Sequence, residues 1–141
     1  MNPANEYLEN RVMTATPEQL HLMVVDGAIR KAKQAQMAME NKEFEASHNA
    51  LNESRDFVME IITGMKHVGN TELILQLKSM FAFVYKRLVE ADMERNPLHI
   101  TEALEVLEHH RETWLQLCEE IKHQKKVPPT HQLDGPHGWI S

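Results

Sequence analysis

The sequence predicts an all-α protein, an up-down-up-down antiparallel four-helix bundle with an extended N-terminal segment. Three observations carry this expectation. Apolar residues recur every three or four positions along four stretches of similar length, and no stretch alternates Val, Ile and Thr as a strand would. Two of those stretches open on a capping residue followed by proline, Thr16-Pro17 and Asn96-Pro97. The connections left between the stretches are short, which favours antiparallel packing of consecutive helices.

Residues 1–16 read as a lead-in without helical period, ending in apolar Val12 and Met13. The first predicted helix spans 17–39. Thr16-Pro17-Glu18-Gln19 has the pattern of a capping box, in which the Thr16 hydroxyl accepts from the Gln19 amide and the Gln19 side chain accepts from the Thr16 amide. Leu20, Val24, Ala28, Ala35 and Met39 form one face, widened by Leu22, Val25, Ile29 and Ala32. Gly27 costs a helix about 1 kcal/mol relative to Ala, so it is expected at a close approach to a neighbouring helix.

The second predicted helix, 42–65, repeats Phe44, Leu51, Val58 and Met65 every seven residues, with small Ser47 and Ser54 at the alternate seam positions. The third, 71–95, has the most regular seam: Ile74, Leu77, Phe81, Val84, Leu88 and Ala91. The fourth, 97–126, runs through Ile100, Ala103, Leu107, His110, Trp114, Leu117 and Ile121. At 1.5 Å per residue these helices are ~35–45 Å long, matched closely enough to pack side by side. Residues 127–141, with three prolines, two glycines and two histidines, are expected to be a disordered tail.

Composition narrows the function. The chain of 141 residues carries a net charge of −6, which argues against a nucleic-acid partner. Residues 122–141 hold Lys122, Lys125, Lys126 and Asp134, a net of +2, so the rest carries −8. A single cysteine, Cys118, allows no internal disulfide and suits a reducing compartment. No apolar run nears the ~18 residues of a membrane span and no leader opens the chain, so a cytoplasmic location without membrane insertion is expected.

The stretch from Tyr7 to Ile29 resembles the N-terminal signature of the FliS-type flagellar export chaperones. The matching positions are Tyr7, Asn10, Val12, Thr14, Ala15, Pro17, Leu20, Asp26, Gly27, Ala28 and Ile29. Phe83-Val84-Tyr85, Arg87-Leu88 and Ala91 resemble the family's third-helix run, and Arg111, Thr113 and Trp114 its fourth-helix Arg/Trp. The chain departs from the family at Val24-Val25, where Leu-Tyr is usual, and at Asp92, where Asn is common. The resemblance covers Tyr7 to about Ile121. It implies a non-enzymatic chaperone that binds the C-terminal segment of flagellin, prevents premature polymerisation and delivers its cargo to the flagellar export gate.

The residues themselves give no catalytic arrangement: no Gly-rich phosphate loop, no paired carboxylates on an apolar face, and a Cys118 that reads as a small buried hydrophobe. Three Glu-x-x-His spacings (Glu18/His21, Glu45/His48, Glu120/His123) lie near helix ends rather than mid-bundle, so neither metal nor cofactor is expected. His110 reads as a hydrogen-bonded core histidine. The informative feature is surplus apolar surface. Leu75, Phe83, Val89 and Met93 on the third predicted helix, with Leu22, Val25 and Ile29 on the first, exceed one seam's need. They are expected to hold apolar side chains of a partner, with Tyr7, Asn10, Val12 and Thr14 in a lid that folds over the groove. The alternative is a bundle that self-associates through the same face, and the oligomeric expectation is a monomer or weak homodimer.

Overall fold

Helix starts are written locally, and the start at Pro17 is the best specified. Thr16 has the extended backbone of a cap (φ −71°, ψ 162°), and its hydroxyl accepts from the Gln19 amide at 3.1 Å. The Gln19 side-chain oxygen accepts from the Thr16 amide at 3.0 Å, so both halves of the capping box are made. Asn96 does the same work before Pro97, its side-chain oxygen accepting from the Leu98 amide at 3.0 Å.

A computed structural model describes residues 3–65 and 71–126. Among them are five helices and no strand: α1 (Pro3–Thr14), α2 (Pro17–Glu40), α3 (Phe44–Gly64), α4 (Thr71–Glu94) and α5 (Pro97–Lys126). The sequence expectation for 127–141 lies outside the described residues. The expected extended N-terminal segment is corrected, because residues 3–14 are helical. Pro3 takes the first helical position, Glu6 lies in the first turn and Arg11 in the last, all of which suit a helix. No residue of α1 is buried.

The other four helices close into a ring of neighbours: α2 packs against α3 and α5, and α4 packs against the same two. Leu51 and Val58 of α3, Phe81, Val84 and Leu88 of α4, and Ile100 and Leu107 of α5 are fully buried where the four faces meet. The seam serines are buried as small residues. Ser54 Oγ donates to the Ala28 carbonyl at 2.8 Å across the α2–α3 contact, and Ser47 Oγ donates to the Phe44 carbonyl at 3.0 Å. Lys42 and Arg95 hold left-handed backbone at the α2–α3 and α4–α5 turns, with φ 61° and 52°. The Arg95 guanidinium lies 4.2 Å from the Phe44 ring centre, which joins the two turns.

Two residues expected to face a partner are core instead. Val25 is fully buried and Ile29 is 8% exposed. The reason is geometric: α2 has two neighbours, so its apolar stripe must be wider than a single seam, and these residues supply the width.

Candidate partner-binding surface

The side of α2 turned away from the core carries a cavity of about 520 Å³, shared with α1 and α3. Its apolar lining comes from Leu20, Met23 and Val24 on α2, Phe57 on α3, and Leu8 and Val12 on α1. Arg11, Asp26, Arg30 and Glu60 add both signs of charge. An amphipathic segment suits such a hollow, and α1 already leans two apolar side chains into it.

Gly27 sets the shape of this cavity. A Cβ there would lie 2.8 Å from two Phe57 ring carbons and 2.9 Å from a third, so only glycine lets the ring lie across α2. Gly27→Ala is therefore expected to swing Phe57 out of place and remodel the cavity. In a Phe57→Ala background the same change should instead stabilise by about 1 kcal/mol, the helix preference for Ala over Gly. A double-mutant cycle of urea midpoints checks this, and an equal effect in both backgrounds would refute it.

The expected site residues fall on separate surfaces. Val12 lines the large cavity, while Thr14 and Leu22 line an adjoining hollow of about 330 Å³ beside Asp26. Tyr7 is 64% exposed and Asn10 is exposed on α1, and neither lines a cavity. On α4, Leu75, Phe83 and Met93 are exposed and Val89 is half-buried, with the Arg87 guanidinium 5.3 Å from the Phe83 ring centre. Because α2 and α4 occupy opposite corners of the ring, their outer faces do not form one groove. Leu8, Met23 and Phe57 were not singled out as contacts from the sequence. The amphipathic pattern gives each helix a face but not the angle at which its neighbours stand.

At one end of the α2–α5 contact, His21 and His110 are buried with their Nε2 atoms 2.7 Å apart. One nitrogen must donate and the other accept, so the neutral pair shares a single proton at this contact. Burial first, and then each ring's histidine neighbour, lowers His21 to about 3 and His110 to about 4. The Trp114 indole donates to the Glu18 carbonyl at 2.9 Å, and Arg111 Nε donates to Asp26 at 2.5 Å. Asp26, Arg111 and Trp114, all part of the family resemblance, thus tie α2 to α5.

Of the Glu-x-x-His pairs, His21 is engaged by His110, and His48 lies 2.7 Å from Asp92. Among the described residues, Glu90, Glu94 and His99 bring ligand atoms within 4.8 Å of one another. Arg87 lies 3.0 Å from Glu90 and supplies their countercharge. Burial, then Glu18, pushes the Cys118 thiol pKa up, which disfavours the reactive thiolate. No described helix is long and apolar enough to cross a membrane.

Comparison with known proteins then places the chain. The family model described as flagellar protein FliS matches residues 1–121. The flagellar secretion chaperone FliS of Bacillus subtilis (strain 168) is 29% identical over 115 residues, covering 82% of this chain and 85% of that protein. The flagellar secretion chaperone FliS of Salmonella typhimurium (strain LT2) is 24% identical over 119 residues, covering 84% and 88%. A family match across all five helices, together with full-length kinship to two chaperones, leads to one conclusion: the chain belongs to the FliS family of flagellar proteins.

Proposed function

We propose that this protein is a non-enzymatic cytoplasmic export chaperone that binds the C-terminal segment of flagellin, blocks its premature polymerisation and delivers it to the flagellar export gate. The curated relatives are both flagellar secretion chaperones, which supports the reading. The observation that carries it is apolar surface the fold does not consume. Leu75, Phe83 and Met93 remain exposed on α4, and the α1–α2–α3 cavity is lined by Leu20, Met23 and Val24. A flagellin segment would cover these as short helices wrapped around a bundle we take as up-down-up-down. Each large apolar side chain buried contributes ~1.5–3 kcal/mol, so a few contacts outweigh the ordering of the segment. The α1 helix acts as the lid, since a ligand reaching Val24 and Phe57 must displace Leu8 and Val12.

Titration of the monomeric protein with a peptide from a flagellin C-terminus is expected to give a one-to-one complex. Phe83→Asp should weaken it by roughly ten- to a hundredfold, the equivalent of one lost large apolar contact, while the helical circular dichroism is retained. Unchanged affinity in a folded Phe83→Asp protein would take the α4 face out of the site. No binding to the unaltered chain would overturn the reading itself.

A further inference from the structure

A second apolar cleft lies at the end of the molecule where α2 begins and α3 finishes. It measures about 220 Å³ and is lined by Pro17, Leu20, Val24, Ile61 and Gly64, with Glu60 its one acidic residue. The α5 helix delivers the chain to the same end. Cys118, Ile121 and Lys122 share a hollow with Thr16, Glu18 and Gln19 at the start of α2, so α5 finishes about one helix diameter from the cleft. Fifteen further residues follow Lys126.

We propose that this following segment, 127–141, folds back on the helical end and seats Trp139 and Ile140 in the cleft between α2 and α3. Reach, composition and tethering each favour it over a foreign occupant. Twelve residues separate Val127 from Trp139, a span of up to ~40 Å when extended and several times the helix diameter to be crossed. Pro128-Pro129 cannot prolong α5, and Gly135-Pro136 and Gly138 suit a chain that turns back. The segment holds Leu133, Trp139 and Ile140 against one charged residue, Asp134, so its affinity would be for apolar surface. An indole is the largest apolar body a side chain offers, and one covalently tethered to its site acts at a local concentration in the millimolar range.

The family match stops at residue 121, so the device would belong to this chain rather than to the shared fold. Leu20, Val24 and Glu60 line both this cleft and the larger cavity. A seated indole would therefore compete with any apolar segment entering there. The inference does not depend on flagellin being that segment.

The test is nuclear Overhauser contact between the Trp139 indole and the methyl groups of Val24 and Ile61 in the full chain, at two protein concentrations. Contacts independent of concentration are expected. Trp139→Ala/Ile140→Ala should shift the amide resonances of Leu20, Val24 and Gly64, and Trp139→Phe should remove a blue-shifted emission component. Iodide quenching of Trp139 equal to that of a free indole, without those amide shifts, would overturn the proposal. So would contacts that vanish on dilution or that join differently labelled molecules, since a second copy would then be the donor. A flagellin peptide that fails to bind while these contacts persist would count against the chaperone reading alone.

Discussion

Acidification from pH 7 to 5 is expected to destabilise this protein by about 4 kcal/mol through His21 and His110 alone. Both are buried, 5% and 6% exposed, and their folded pKa values lie at about 3 and about 4, below the ordinary 6.5. The unfolded chain takes up a proton at each imidazole below pH 6.5, whereas the folded chain does not until pH approaches 4. The stability they supply is therefore fully present above 6.5 and is lost as pH falls from there toward their folded values. Each pH unit in that window costs about 1.4 kcal/mol per imidazole, and 1.5 units across two imidazoles gives the figure above. Against a total stability of ~5–15 kcal/mol this is a large fraction. Urea midpoints measured between pH 7 and 5 should fall steeply for the unaltered chain and much less for His21→Gln/His110→Gln. Parallel pH profiles for the two proteins would rule the pair out as the cause.

Phe81→Ala is expected to cost about 3–5 kcal/mol, the range for removing a fully buried aromatic side chain. Phe81 stands edge-on to both imidazoles, with ring centres 4.9 Å from His110 and 6.3 Å from His21. Its loss opens a space beside two polar rings, where water has hydrogen-bond partners. Both imidazole pKa values should then rise toward 6.5 and the acid slope should flatten. Phe83, two residues along and 43% exposed, offers the contrast: Phe83→Ala should stay within about 1 kcal/mol and leave the slope alone. Equal losses from the two substitutions would mean that α4 is rotated from the orientation described.

What could be read from the sequence was decided within a turn or two of chain. The capping box at Thr16, the cap at Asn96 and the close approach at Gly27 depend on residues three or four apart, or on one residue without a side chain. The helicity of residues 3–14 was also local. Asn2-Pro3 repeats the device at Asn96-Pro97, but the weak amphipathic pattern of the segment hid it. What could not be read was rotation. Val25 and Ile29 lie inside because α3 and α5 flank α2 on two sides, and no pattern along α2 states where its neighbours stand. His110 was recognisable as a core position, but its partner is 89 residues away in sequence. The candidate site shared this limit. Leu75, Phe83 and Met93 were legible as excess apolar surface, whereas the cavity beneath α1 arises only once three helices meet.

The shallow seating of α1 has one more consequence. Twelve residues is about the length at which a helix in water is only marginally stable without support, and α1 buries none of its side chains. Its amide hydrogens should therefore exchange with solvent deuterium far sooner than those of α2 to α5, at a rate that reports on whatever lies against it. Any occupant that dislodges or clamps this helix would alter that rate, giving the molecule an intrinsic gauge of occupancy that needs no attached label.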